Sequence, residues 1–158
     1  MSAAAFDRAF IDGMVPHHEQ AIEMAEAAKQ AGLANPDLVQ IADAVIATQQ
    51  GEIDQMRAWR EEWFGSPDVD PSGADALGLS MRDMGMEHEP RTMMGADDVD
   101  AAFAAEMIDH HQGAIRMAEL ALERAQHPEI RAMAKAIIEA QQGEIDVMMD
   151  HVGMHHGG

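Results

Sequence analysis

The chain contains no cysteine, so it has no disulfides and no thiolate metal sites. It also has no tyrosine, and only 4 Phe and 2 Trp among 158 residues. Cores built from strands draw on aromatic and β-branched side chains, so this scarcity argues against a β protein. Basic residues are few as well: 10 Lys and Arg stand against 29 Asp and Glu, a net charge of −19 with His neutral. Phosphate backbones need Lys and Arg, so no nucleic-acid partner is expected, and anionic membrane surfaces are disfavoured for the same reason. No apolar run approaches the roughly 20 residues that span a bilayer, so no membrane insertion is expected. The start, MSAAAFDRAF, lacks the basic and then apolar pattern of a signal peptide. What the chain does have is 47% hydrophobic residues, including 15 Met, alongside many Ala. Both are good helix formers, and the composition points to an all-α fold. The acidic field would concentrate cations around it.

An internal repeat is plain. Residues 10–28, FIDGMVPHHEQAIEMAEAA, match 103–121, FAAEMIDHHQGAIRMAELA, and 36–56, PDLVQIADAVIATQQGEIDQM, match 128–148, PEIRAMAKAIIEAQQGEIDVM. About half the positions are identical in each pairing. Each half reads as two long helices joined by a very short turn, which makes the pair antiparallel. Asn35-Pro36-Asp37 is a cap, a first-turn proline and an acidic first turn; His127-Pro128-Glu129 repeats it with a weaker cap. Asp97 or Asp98 can start the third long helix, and Gly65 and Gly153 can stop the second and fourth. Pro16 falls inside the first helix and should free the Asp12 carbonyl. The expected organisation is a single domain over 1–158. It comprises a first hairpin at 3–64, a Met-rich linker at 65–96, a second hairpin at 97–152 and a Met/His/Gly tail at 153–158. Two duplicated antiparallel hairpins suggest a four-helix bundle, and most of the linker is expected to be loop, with a short helix beginning after Ser72.

Polar groups interrupt the apolar faces at matching places. His17 and His18 lie on apolar stripes of the first helix, His110 and His111 on those of the third. Gln49 and Glu52 interrupt a stripe on the second helix, Gln141 and Glu144 one on the fourth. In an antiparallel hairpin, residues equidistant from the turn face each other, so His17 and His18 face residues 49–50, and His110 and His111 face 142–143. At about 1.5 Å rise per residue, Glu52 and Glu144 fall within one turn of those levels. Each hairpin is therefore expected to gather its two imidazoles, two amides and a carboxylate, with Met14 or Met107 one turn away. Either these groups ligate a metal, or they satisfy one another as a polar network in the core.

Two further Met/His groups lie outside the stripes. The linker carries Met81, Met84, Met86, His88, Met93 and Met94; the tail region carries Met148, His151, Met154, His155 and His156. Methionine in a polar, glycine-containing loop has no core to fill, so these thioethers are expected to be available as soft ligands. Imidazole with carboxylate suits Cu(II), Zn or Fe, whereas thioether with imidazole shifts preference to Cu(I) or, by softness, Ag(I).

The paired motifs MVPHHEQAIEMA and MIDHHQGAIRMA, each followed by QQGEIDxM, resemble the bacterial family called domain of unknown function 305, of ferritin-like helical-bundle type. The resemblance covers both repeats. It carries His17, His18, Gln49, Gln50 and Glu52 onto the first-half pattern, and His110, His111, Gln141, Gln142 and Glu144 onto the second. Some members are exported copper- or silver-binding proteins, so it implies a metal-handling role and an extracytoplasmic setting, with no general enzymatic activity. The expected function is thus non-enzymatic copper or silver buffering, carriage or tolerance, with metal ions as partners and none required for folding. Monomer and homo-oligomer are equally open. Two alternatives stand beside it: a ferritin-like di-metal oxidase, and a structural or sensing bundle whose His and Glu form only a core network. The oxidase requires Glu-x-x-His motifs on facing helices, and none occurs in these helices.

Overall fold

The computed structural model describes residues 1–87 and 89–152, apart from the side chains of residues 91 and 92. Among these residues the chain is all-helical, with no strand. Four long helices carry the mass: α1 (Ala3–Ala31), α2 (Pro36–Phe64), α4 (Val99–Arg124) and α5 (Pro128–Met149). A single helical turn, α3 (Gly73–Ala76), and a 3-10 segment (Pro90–Gly95) lie in the linker. Helix ends follow local chemistry. The Ser2 side chain accepts from the Ala5 amide, Asn35 from Asp37 and Asp98 from Ala101. Gly32 and Gly65 close α1 and α2 in the left-handed conformation that glycine adopts without strain.

α1 packs along α2, α4 along α5, and α1 also against α4. The core falls into two clusters, and each draws on all four long helices. One joins Phe6, Phe10 and Met14 of α1 to Met56, Met117 and Ile137; the other joins Met24 of α1 to Leu38, Val45, Phe103, Met107 and Met148. The beginning of α1 thus meets the end of α4, and the reverse, so the two helices run antiparallel. Burying each large apolar side chain contributes roughly 1.5–3 kcal/mol.

The hairpin turns are clamped by a device that does not show in the local sequence. Asp7, fully buried on α1, accepts from the Gln126 and His127 amides (both 2.9 Å) and pairs with His127 Nδ1 (2.5 Å), supplying the cap that His127 itself does not make. The His127 ring stacks on Trp63, with centroids 3.5 Å apart. Asp100 on α4 does the same for the other turn, accepting from Ala34 (2.9 Å) and Asn35 (3.0 Å). Asp7 and Asp100 occupy equivalent places in the repeat, so each half caps the other half's second helix. Orphan amides at a helix start are thereby satisfied across the interface between halves.

The linker is the main departure from expectation. It does not hang free. Arg60, itself in a bidentate pair with buried Asp12 (2.6 and 3.2 Å), holds the Ser66 carbonyl (2.9 Å), and Arg57 holds that of Pro67 (3.2 Å). Further on, Arg116 donates to the Asp83 carbonyl, His17 Nε2 to that of Met84 (2.7 Å) and Gln20 to that of Met86 (3.4 Å). The linker lies so close to α4 that a Cβ on Gly113 would stand 1.8 Å from the Met84 carbonyl oxygen. Gly85, at φ +66, lies against the Asp109 backbone with equally little room. Met84 and Met93 are consequently buried, one in each core cluster. The expectation that linker methionines have no core to fill is corrected for these two: the linker closes the α1–α4 seam and its thioethers fill the space beneath. Met81 and Met94 remain more than half exposed.

Candidate metal centre

The carboxylates lie at the helix levels expected of them, but only one imidazole of each pair meets them. His18 Nε2 meets Glu52 Oε1 at 2.6 Å, and His111 Nε2 meets Glu144 Oε1 at 2.6 Å. Both rings are fully buried, while the carboxylates are about one-fifth exposed. His17 and His110 turn away from these pairs and lie against each other across the two halves, ring centroids 3.7 Å apart and planes tilted by 32°. The expected single cluster per hairpin is therefore divided: one imidazole of each pair serves its own hairpin, and the other goes to a shared centre. Adjacent residues on a helix point about 100° apart, so a His-His pair cannot send both rings at one target.

Burial pushes the His17 imidazole down to about 3, and the neighbouring His18 adds to the effect, against the raising influence of its bond to the Met84 carbonyl. His17 is therefore neutral at ordinary pH. With Nε2–H donating to that carbonyl, its Nδ1 is a lone-pair acceptor. No hydrogen-bond partner for Nδ1 of His18 or His111 is found among the described residues, nor for the buried amide oxygens of Gln49 and Gln141. Among the described residues, however, no three His, Cys, Asp or Glu side chains converge closely enough to hold one metal ion.

The methionines divide by location. Met14 and Met107 are fully buried in different core clusters. Met148 is likewise core, and His151 Nε2 stands 3.8 Å from Asp37. His88, Met154, His155 and His156 lie outside the described residues. Met81, Met84 and Met86 do converge. All three line one cavity of about 220 Å³ against Asp12, Gly13 and Pro16 of α1. Pro16, the proline inside α1, belongs to that wall. Composition flagged these methionines, but only the path of the linker brings three of them together. Of the QQGE motif, Gln50 and Gln142 are exposed and bond Asp54 (3.0 Å) and Asp146 (3.2 Å) one turn on, whereas Gln49 and Gln141 are buried. Their interruption of an apolar stripe was the signal for that burial.

Several solved structures share this architecture. CopM in its Cu(II)-bound form is 33% identical, with a TM-score of 0.79 over 92% of this chain and 95% of that chain. CopM in its Cu(I)-bound form is 32% identical, with a TM-score of 0.75 over 91% and 93%; the same protein has been solved in an Ag-bound form. A DUF305 fragment from Deinococcus radiodurans is 27% identical, with a TM-score of 0.73 over 94% and 95%. No curated protein matches the chain. The pattern of the family described as Domain of unknown function (DUF305) matches residues 4–152, and the chain belongs to that family.

Proposed function

We propose that this protein is a non-enzymatic handler of soft monovalent metal, Cu(I) or Ag(I), in which a single domain of ferritin-like four-helix-bundle type carries a thioether pocket on its linker. The observation that carries the reading is the convergence of Met81, Met84 and Met86 on one cavity beside Asp12. Thioether sulfur is a soft donor that favours Cu(I) over divalent ions, and methionine's three rotatable bonds let it close around an ion without a preset geometry. A net charge of −19 raises the local concentration of any cation. The similarity to CopM, solved with Cu(I), Cu(II) and Ag bound, points the same way. The metal is cargo: the cores are closed by apolar side chains, so folding does not wait for it. A di-metal oxidase draws less support, because no Glu-x-x-His motif occurs in the long helices and, among the described residues, no three His, Cys, Asp or Glu side chains converge on one point.

The test is competitive titration with Cu(I) under reducing conditions, on the intact chain and on a variant with Met81, Met84 and Met86 all replaced by leucine. Leucine keeps the volume that buried Met84 fills. Affinity is expected to fall at least tenfold in the variant. Binding no tighter than that of a Met-poor acidic protein, or binding indifferent to the three substitutions, would overturn the reading.

A further inference from the structure

The thioethers that meet at the linker cavity differ in exposure. Met84 is 2% exposed and belongs to the core, Met86 is partly buried, and Met81 is 54% exposed. The chain holds 15 Met and no cysteine. No thiolate is therefore present to consume a peroxide first, and exposed thioethers are left to react with it. Hydrogen peroxide is uncharged, so the net charge of −19, which repels anionic oxidants, does not hold it off. The reaction transfers one oxygen atom. A sulfur lone pair attacks the peroxide, an S–O bond forms as the O–O bond breaks, and water leaves; the thioether is oxidised and the peroxide reduced by two electrons. Susceptibility follows exposure, so Met81 is open to attack while packing shields Met84. Met84 is also held by its backbone, whose carbonyl accepts from His17 (2.7 Å) and lies against Gly113. A sulfoxide at Met81 puts its oxygen in solvent and spares the fold. At Met84 the same change would bury a polar group in the core.

We propose that Met81 is an oxidation site at which a peroxide-class oxidant disables the linker cavity for soft metal. The inference rests on reading that cavity as a Cu(I) or Ag(I) site, and it names how the site is regulated. A sulfoxide is polar and offers a hard oxygen donor, so oxidation leaves the cavity with only Met84 and Met86 as soft ligands. The reverse coupling follows from the same lone pair. A metal held by the Met81 sulfur occupies the electrons that attack peroxide, so the loaded cavity resists oxidation and the empty one is modified. Methionine sulfoxide is reduced enzymatically, which makes the change reversible. Met94 supplies an internal comparison. It is 56% exposed, almost as much as Met81, but it sits on the 3-10 segment and does not line the cavity.

Treating the chelator-stripped full chain with hydrogen peroxide, and following each methionine by mass spectrometry, tests this. Ag(I) serves as the metal, since unlike Cu(I) it does not generate radicals from peroxide. Met81 and Met94 are expected to oxidise at similar rates, about tenfold or more faster than Met84. Ag(I) should slow oxidation at Met81 severalfold and leave Met94 unchanged. The oxidised protein should keep its helical circular dichroism and bind Ag(I) about threefold or more weakly, and a methionine sulfoxide reductase should restore the affinity. Met94→Leu should respond to peroxide as the wild type does. Met81→Leu, altered at an exposed position, should lose no further affinity. Protection of Met94 equal to that of Met81, affinity unmoved by oxidation at Met81, or a peroxide effect that persists in Met81→Leu would each overturn the proposal while leaving the cavity reading intact. Ag(I) binding by untreated protein that ignores the three leucine substitutions would overturn both.

Discussion

The two repeats differ most where the linker crosses them. Pro16 and Gln20 of the first half stand opposite Asp109 and Gly113 of the second, and all four lie by the linker. The Met84 carbonyl accepts from His17 on one side and presses against Gly113 on the other, while Gln20 reaches the Met86 carbonyl. Where no linker passes, at His18 with Glu52 and His111 with Glu144, the halves are alike to the same 2.6 Å. Duplication made the halves equal, and covering one seam made them unequal. The α1–α4 seam is sealed by buried linker residues, whereas the α2–α5 side keeps a cavity lined largely by Ala44, Val45, Ile137 and Ala140.

The sharpest way to break that comparison is at Gly113. A Gly113→Ala side chain would collide with the Met84 carbonyl, so about 3 kcal/mol of stability should be lost in urea unfolding followed by Trp59 and Trp63 fluorescence. Gln20→Ala at the equivalent place should cost less than about 1 kcal/mol. Equal losses would mean that linker docking is not what separates the halves.

The reciprocal caps give a smaller contrast. Asp7 is fully buried and serves three donors, whereas Asp100 is partly exposed and serves two. Asp7→Ala should cost about 2 kcal/mol and Asp100→Ala about 1 kcal/mol, measured by the same unfolding experiment. The reverse order would show that exposure does not set the worth of these caps.

The third contrast is in pH. Folding holds His17 neutral with a value near 3, while the unfolded chain takes up the proton near 6.5. Its contribution to stability is therefore whole above pH 6.5 and is withdrawn as pH falls toward 3, at up to about 1.4 kcal/mol per pH unit. His17→Gln should flatten that part of the stability profile; a profile with unchanged slope would place the acid sensitivity elsewhere.

Much of this was legible in the residues. Cap chemistry at Asn35 and Asp98, the glycine stop at Gly65, and the facing of His18 with Glu52 all follow from helical geometry and the shortness of the turns. The fate of the second imidazole was not legible. A face drawn on one helix does not say which neighbour covers it, and His17 found His110 from the other half. Nothing in the local pattern singles out Asp7 or Asp100, because their partners lie 120 and 65 residues away in sequence. The linker read as loop because its helical content is slight; that Met84 and Met93 are core depends on where it lies.

The sequence by itself determined the helices, their pairing within each half and the recurrence of His, Gln and Glu at one level, since these rest on periodicity and short connections. Only the tertiary structure decided which methionines line the linker cavity and which are buried in the core, with Met84 in both groups. It also decided that the imidazoles divide between two tasks. Those outcomes depend on contacts between segments distant in the chain, and local pattern carries no information about which distant surface arrives to make them.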